Sequence, residues 1–420
     1  VHWDQVNDMT TVNHWQLPDG VEEILPSEAE AVENLRRTLL DLYRSWGYRL
    51  VIPPLMEFTE SLLVGLGEDL DLLTFKLTDQ LSGRTLGIRA DITPQVARID
   101  AHSLAEEGVT RLCYAGSTLH TRPKSLLASR SPIQVGAELY GDDSPGADVE
   151  IVRLMMATLD AAGLTGITLD LGHVGVYEAV LAHAGLSGEQ EKTVFDALQR
   201  KSVPDLRPAL AGLEPDIAAL IIALVDLHGD ETVLGDARAL FAETVPDALA
   251  GIDALQEVAC DIRRQLPDLH IYFDLAELRG YHYHTGLVFA AYVADCGQAL
   301  ANGGRYNDVG AVFGRARPAT GFATDLKVLV GLFPTATDGR GAISMPDMDD
   351  PALDLQVRAL RSAGEVVINC LSGVADARCD RQLVEENGQW QVRPLNSNDS
   401  ARRMSRAQQP QLDSTQEPKQ

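Results

Sequence analysis

Arg279 to His284 crowd an arginine, two tyrosines and two histidines into six consecutive residues between two apolar runs, Ile271 to Leu275 and Leu287 to Val293. Apolar runs of that length on either side of a polar segment read as strands, so the polar residues are delivered to the end of a sheet. If Tyr281 to Thr285 is extended, Tyr281 and Tyr283 face one way while His282 and His284 face the other. Aromatic walls and polar tips can then line one concavity.

Three readings of this stretch compete. His282 and His284 share a face and could ligate a metal, but zinc needs three or four protein ligands, and no further His, Cys or acidic residue stands at a ligand spacing. A polar, half-exposed sheet edge is the plain structural alternative. The third is a small-ligand pocket in which the forked guanidinium of Arg279 holds a carboxylate.

Elsewhere the chain alternates helix and strand patterns. Ser27 with Glu30 reads as a capping box for a helix carrying Val32, Leu35, Leu39 and Leu42, and Tyr48 to Ile52 as a strand stopped by Pro53 and Pro54. Leu72 to Leu77 and Thr85 to Ile88 flank a turn at Ser82-Gly83, and Thr93 before Pro94 reads as a hydroxyl cap with proline at the first helical position. On the strand Ile133 to Tyr140, Gln134, Gly136, Glu138 and Tyr140 share a face opposite Val135 and Leu139, so the two polar groups look onto either water or a cleft. N-G-G-R-Y-N, Asn302 to Asn307, allows a tight turn or a close backbone approach, and Gly321 to Phe333 reads as a helix.

These patterns predict an α+β core over 1–186 and 265–333, an all-helical insert over 187–264, a small C-terminal α/β region over 334–395 and a disordered tail over 396–420. The insert holds 7 basic against 15 acidic residues, and the whole chain carries a net charge of −26. Such an excess repels phosphate backbones, which argues against nucleic acid as a partner. No apolar run reaches membrane-spanning length and the start lacks a secretion-signal pattern, so the cytoplasm is the expected location and no membrane partner is expected. Five cysteines without a C-x-x-C pair exclude a zinc ribbon, and Cys113 and Cys260 read as buried thiols. No Walker loop, G-x-G-x-x-G, H-E-x-x-H or G-x-S-x-G occurs, so no cofactor and no metal are expected.

Over roughly residues 17 to 333 the chain resembles the catalytic core of histidyl-tRNA synthetase, a class II aminoacyl-tRNA synthetase. The proline-ended strand at Pro54 resembles class II motif 1. I-R-A-D-I-T (from Ile88) resembles the family's L-R-P-E-G-T, and Q-V-G-A-E (from Gln134) its Q-x-G-x-E. R-G-Y-H-Y-H (from Arg279) resembles its R-G-L-D-Y-Y, and G-G-R-Y (from Gly303) its G-G-R-Y-D. The resemblance implies an antiparallel sheet flanked by helices, and a histidine pocket. In it Asp91 and Thr93 stand by the α-ammonium, Gln134 and Glu138 match the glutamine and the imidazole-facing glutamate, Arg279 stands at the carboxylate, Tyr283 matches the first tyrosine and His284 replaces the second.

The nucleotide side departs from that pattern. Where active enzymes carry F-R-x-E this chain has T-L-H-T, Thr118 to Thr121, and where they carry G-L-E-R it has D-L-K-V, Asp325 to Val328. Adenylation relies on fixed cations around a phosphoryl group, and two arginines are missing. The combination resembles the non-aminoacylating branch of the family that regulates ATP phosphoribosyltransferase. It implies a non-catalytic regulatory subunit, associated as a dimer within a hetero-oligomer, that activates a short-form catalytic subunit and binds L-histidine for feedback inhibition of the first step of histidine biosynthesis. An active synthetase with a divergent ATP site and a stand-alone histidine sensor are the alternatives.

Overall fold

The computed structural model describes residues 16–63, 68–125, 128–277, 283–294, 296–332, 341–371 and 373–395. The chain forms two compact units, Val1–Thr335 and Ala336–Gln420. Arg279, Tyr281, His282 and the tail from Asn396, on which several expectations fall, lie outside the described residues.

The first unit is α+β and centres on a nine-stranded sheet. Its spatial order is Arg49–Leu50, Thr110–Ser117, Ile133–Tyr140, Ala319–Asp325, Ala301–Arg305, Leu287–Tyr292, Thr168–His173, His270–Asp274 and His228–Gly229. The interior is antiparallel as expected. The pairs Arg49–Leu50 with Thr110–Ser117, and Thr168–His173 with His270–Asp274, run parallel, which makes the whole sheet mixed. A separate three-stranded sheet contains the expected hairpin, whose turn is tied by Asp79 accepting from the Leu81 and Ser82 amides, but its first strand is Phe75–Thr78 against Thr85–Ile88, because Leu72 and Leu73 end the helix Glu68–Leu73.

Both faces of the large sheet are covered. Val135, Ala137 and Leu139 point to the side packed by the helices Pro26–Ser45 and Pro145–Ala161. Val32, Leu35, Leu39 and Tyr43 form the buried stripe of the first helix, and Tyr43 meets Phe322 of the sheet edge-on at 6.1 Å. Each such side chain contributes about 1.5–3 kcal/mol by leaving water. The opposite face carries Tyr114, Tyr140, Tyr306 and Ala319 under the short helix Thr93–Arg98 with Ile92 and Val96.

The structure corrects several local readings. The first helix begins on Pro26 with Leu25 as its cap and no side-chain cap bond, so Ser27 and Glu30 form no capping box. Thr93 does not cap its helix; Asp91 Oδ1 accepts from the Thr93 amide instead, which frees the hydroxyl. Residues 321–325 belong to the strand Ala319–Asp325, and the helix starts only at Leu326. The apolar recurrence at Leu326, Leu329 and Val330 is helical, whereas Thr320, Phe322 and Thr324 alternate and are all buried. Asn302 to Arg305 is a strand and not a turn. Cys113 is buried, but Cys260 is exposed: it falls between the inward-facing Ala259 and Ile262 of the helix Leu249–Gln265.

Residues 187–264 fold into helices, joined to the large sheet through the two-residue strand His228–Gly229. The second unit has a four-stranded sheet ordered Val367–Cys370, Ala342–Pro346, Cys379–Glu386 and Gln389–Pro394, with the helix Pro351–Ser362 packing Leu353 and Val357 onto Ile343, Val367 and Leu383.

Candidate functional site

Glu138 is the centre of the site. It sits on the middle of a central strand and is 1% exposed. Oε1 accepts from Thr93 Oγ1 at 2.9 Å and from the Tyr114 hydroxyl at 3.0 Å, and Oε2 accepts from the Tyr306 hydroxyl. Burial pushes its carboxyl up to about 8; the three hydroxyl donors pull against that shift and Asp91 adds to it. In the ligand-free protein the group therefore holds a proton at neutral pH; once a ligand N–H or ammonium displaces it, a carboxylate held by three hydroxyls keeps one acceptor position for that donor.

The remaining polar groups are wired to this centre. Asp91 Oδ1 accepts from Gln134 Nε2 and from the Thr93 amide, each at 2.9 Å, and Gln134 Oε1 in turn accepts from the Ile92 amide at 2.9 Å. The turn before Thr93–Arg98 and the strand Ile133–Tyr140 are therefore locked together by their functional side chains. Tyr283 stacks on Tyr306 with ring centroids 4.9 Å apart and meets His284 edge-on at 5.3 Å. Burial raises the hydroxyls of Tyr114, Tyr283 and Tyr306 well above the ordinary range, so all three stay protonated donors.

Asp91, Thr93, Gln134, Glu138, Tyr283 and His284 thus belong to one region, while Arg279 lies outside the described residues. Two members escaped the sequence reading, Tyr114 and Tyr306. A glycine was the signal for Tyr114, and Tyr306 closes the G-G-R-Y motif. A Cβ on Gly136 would lie 2.6 Å from the Tyr114 hydroxyl, and one on Gly304 would lie 2.6 Å from the His284 ring. Glycine inside these strands marks close approach around the site.

The segment leading into the pocket is held from behind. The Thr285 amide donates to Arg305 O at 2.7 Å, the Asn307 amide donates to Thr285 Oγ1 at 3.0 Å, and Arg305 itself pairs with buried Asp148 at 3.0 Å. Arg89, also buried, is spent on backbone: it donates to Pro53 O at 2.8 Å and Ser117 O at 2.9 Å, tying the proline-ended segment to the sheet.

Beside this region, with Gln134 in its wall, lies a cavity of about 400 Å³. Thr118, His120, Asp325, Lys327 and Val328 line it, so both departures from the synthetase pattern face one space. Among the described residues, no arginine lines it. Lys327 Nζ lies 3.0 Å from Glu22 Oε1 and 3.1 Å from Ser131 Oγ.

Among the described residues, one acidic group, Asp170, Asp274 and Glu277, brings its ligand atoms within 4.8 Å of one another. Lys201 Nζ already sits 2.7 Å from Asp274 Oδ2 and supplies a positive charge there. No helix among the described residues is long and apolar enough to cross a membrane.

A family model described as histidyl-tRNA synthetase matches residues 20–329, and one described as the ATP phosphoribosyltransferase subunit HisZ C-terminal domain matches residues 340–393. A protein of Pseudomonas fluorescens Pf0-1, described as an ATP phosphoribosyltransferase regulatory subunit, is 54% identical over 395 residues, 93% of this chain and 100% of the relative. A Pseudomonas putida F1 protein of the same description is 53% identical over 398 residues, 92% of this chain and 100% of the relative. Among solved structures, a Bacillus halodurans protein described as an ATP phosphoribosyltransferase regulatory subunit/histidyl-tRNA synthetase superposes with a TM-score of 0.76 at 27% identity, covering 87% of this chain and 95% of the other. The histidyl-tRNA synthetase of Nostoc sp. PCC 7120 shares the fold with a TM-score of 0.72 at 19% identity, covering 94% and 99%.

Proposed function

The chain belongs to the family of ATP phosphoribosyltransferase regulatory subunits, and from that premise we propose that it binds free L-histidine in the Glu138 pocket and conveys histidine supply to a catalytic partner. Its role is regulatory, with catalysis carried by the ATP phosphoribosyltransferase catalytic subunit. Feedback inhibition then works by differential affinity: histidine shifts the complex toward a less active state only to the extent that it binds that state more tightly.

The observation that carries this reading is the buried carboxylate of Glu138 with its three hydroxyl donors. A zwitterion with a basic ring needs acceptors for its ammonium and ring N–H groups and a cation for its carboxylate. Asp91 and Glu138 supply the acceptors, and Arg279 is assigned the carboxylate. Tyr283 and Tyr306 offer stacked aromatic surface beside the imidazole end. Leu119 and Val328 stand where active enzymes carry the arginines on which adenylate formation depends, and no arginine lines the adjoining cavity among the described residues, which favours binding without activation. Self-association as a dimer within the hetero-oligomer, the division of the first unit into a core and a 187–264 insert, and a cytoplasmic location belong to the same reading.

Calorimetric titration of the purified chain with L-histidine, run beside ATP, tests it. Saturable histidine binding that weakens on Glu138→Gln is expected, together with a faster partner reaction when the chain is added and a slower one when histidine follows. Histidine-dependent exchange of pyrophosphate into ATP by this chain alone would refute the regulatory reading. No histidine binding at saturating ligand would refute the pocket.

A further inference from the structure

A strap of the chain, residues 16–25, contributes Glu22 to the wall of the cavity beside the Glu138 pocket. Residues 16–25 run up to the helix Pro26–Ser45, and Ile24 packs against the main core. Arg130 clamps the strap twice: its amide donates to Gly20 O at 2.7 Å and its Nη1 to Asp19 O at 2.8 Å. The same arginine donates through Nε to His120 O at 3.0 Å, so the strap is fastened to the segment that lines the cavity.

Glu22 projects from this strap onto Lys327. The lysine side chain is only 10% exposed, while Glu22 is 52% exposed. A mostly buried ammonium requires an anion or several acceptors, and here the anion comes from within the chain. Hydrogen bonding from Ser129, more than the lysine itself, draws the Glu22 carboxyl below its ordinary value and keeps it ionised. Asp325, also lining the cavity, is committed to the Ile133 and Lys327 amides at 3.0 and 3.1 Å, and Glu28 adds a further negative charge to the wall.

We propose that Glu22 is a built-in counter-anion that closes this cavity to phosphate-bearing ligands. A carboxylate tethered in place competes with a free anion at high effective concentration, and it does so at Lys327, which among the described lining residues is the covered cation, Lys124 being exposed. The loss of arginines removes attraction for a triphosphate. The strap goes further and replaces attraction by exclusion, so Glu22 is a specificity-determining residue of the cavity. This inference does not rest on histidine binding, and it stands or falls separately.

The test uses the full chain and inorganic pyrophosphate as probe, titrated by calorimetry at constant ionic strength, with circular dichroism melting to verify the fold of each variant. Glu22→Gln, at a half-exposed position, is expected to bind pyrophosphate about tenfold or more tighter than the parent chain. Glu22→Lys is expected to exceed Glu22→Gln, and Glu22→Gln with Lys327→Gln to lose the gain. Equal affinity in the parent and Glu22→Gln overturns the proposal. So does a gain that survives removal of Lys327, or a Glu22→Lys variant that binds no better than the parent.

Discussion

Glu138 and Gly321 face each other across paired strands, and Glu138 Oε2 occupies the space that any side chain at Gly321 would need. The carboxylate that centres the site is therefore accommodated by a glycine on the neighbouring strand. Gly321→Ala should lower stability by about 1–3 kcal/mol through overpacking and weaken histidine binding at least as strongly as loss of a carboxylate contact. Gly331→Ala is the control, because a Cβ there meets open space near the end of the helix Leu326–Leu332. Urea denaturation and calorimetry on both variants separate a site-specific effect from a general cost of replacing glycine.

The elevated Glu138 carboxyl makes the stability of the ligand-free protein depend on pH. Its folded value of about 8 lies above the ordinary 4.5, so between those values the folded state holds a proton that the unfolded state has released. Stability contributed by that proton is full below 4.5 and is lost as pH rises through 8. His173 works in the opposite sense, since burial depresses it from 6.5 to about 4 and stability falls as pH drops below 6.5. The Glu138 slope is thus isolated between pH 6.5 and 8, where it should amount to roughly 1–2 kcal/mol. Denaturation curves across that window should flatten in Glu138→Gln; an unchanged slope would show that the carboxylate is ionised throughout.

Much of this is legible in the sequence. The strand Ile133–Tyr140 has the expected bounds, because strict alternation with apolar Val135 and Leu139 leaves no competing period. The grouping of Asp91, Thr93, Gln134 and Glu138 is what the resemblance to histidyl-tRNA synthetase implies, and hydrogen bonds join the four side chains. The hydroxyl of Thr93 was misread as a cap because sequence shows a residue type and not which acceptor wins: Asp91 takes the amide and Glu138 takes the hydroxyl. Gly321 was drawn into a helix because three apolar residues downstream carried helical spacing. Its true reason, the room required by Glu138, lies 183 positions away by the numbering and has no local signature. Cys260 was misplaced for a simpler cause, that apolar neighbours in sequence are not neighbours around a helix.

Tyr306 joins the site through two interactions that can be separated. Its hydroxyl donates to Glu138 Oε2, and its ring stacks on Tyr283. Tyr306→Phe keeps the stack and removes the donor. Histidine affinity should fall by about 1–2 kcal/mol, because the carboxylate loses one of the hydrogen bonds that stabilise its charge. Tyr140→Phe removes a hydroxyl 3.3 Å from the Tyr306 oxygen without touching the carboxylate's own donors, and its affinity should stay close to that of the parent. Equal losses in the two variants would mean that ring packing and not the hydrogen bond to Glu138 sets the affinity.

Arg305 and Asp148, 8% exposed each, form a buried pair beneath the segment that enters the pocket. Arg305 also donates to Asp142 O and Ser144 O, while its own carbonyl accepts from the Thr285 amide. Arg305→Met should cost about 3–5 kcal/mol, since it strands a buried carboxylate. Adding Asp148→Asn should recover part of that loss, a coupling that denaturant titration of the double-mutant cycle measures. Additive losses would show that the two groups are stabilised independently.

In the second unit, Asp350 serves two partners with its two oxygens: Oδ1 accepts from the Ala352 amide at 2.8 Å as the cap of the helix Pro351–Ser362, and Oδ2 accepts from Trp390 Nε1 at 2.7 Å. One side chain thus fixes the start of the only helix among the described residues of this unit to its edge strand Gln389–Pro394. The Trp390 hydrogen bond, followed by the helix amides, holds the carboxyl below its ordinary 3.8. The contribution is therefore complete above that value and disappears as pH falls through the lower, folded one. Asp350→Ala should accelerate amide exchange in the first turn of the helix by about tenfold at neutral pH and change the emission of Trp390. Asp350→Asn, whose single carbonyl oxygen can cap the helix or accept from the indole but cannot match both carboxylate oxygens, should fall between the two. Exchange in the first turn that is indifferent to Asp350→Ala would show that the proline at the first helical position, Pro351, sets the helix start without help from the cap.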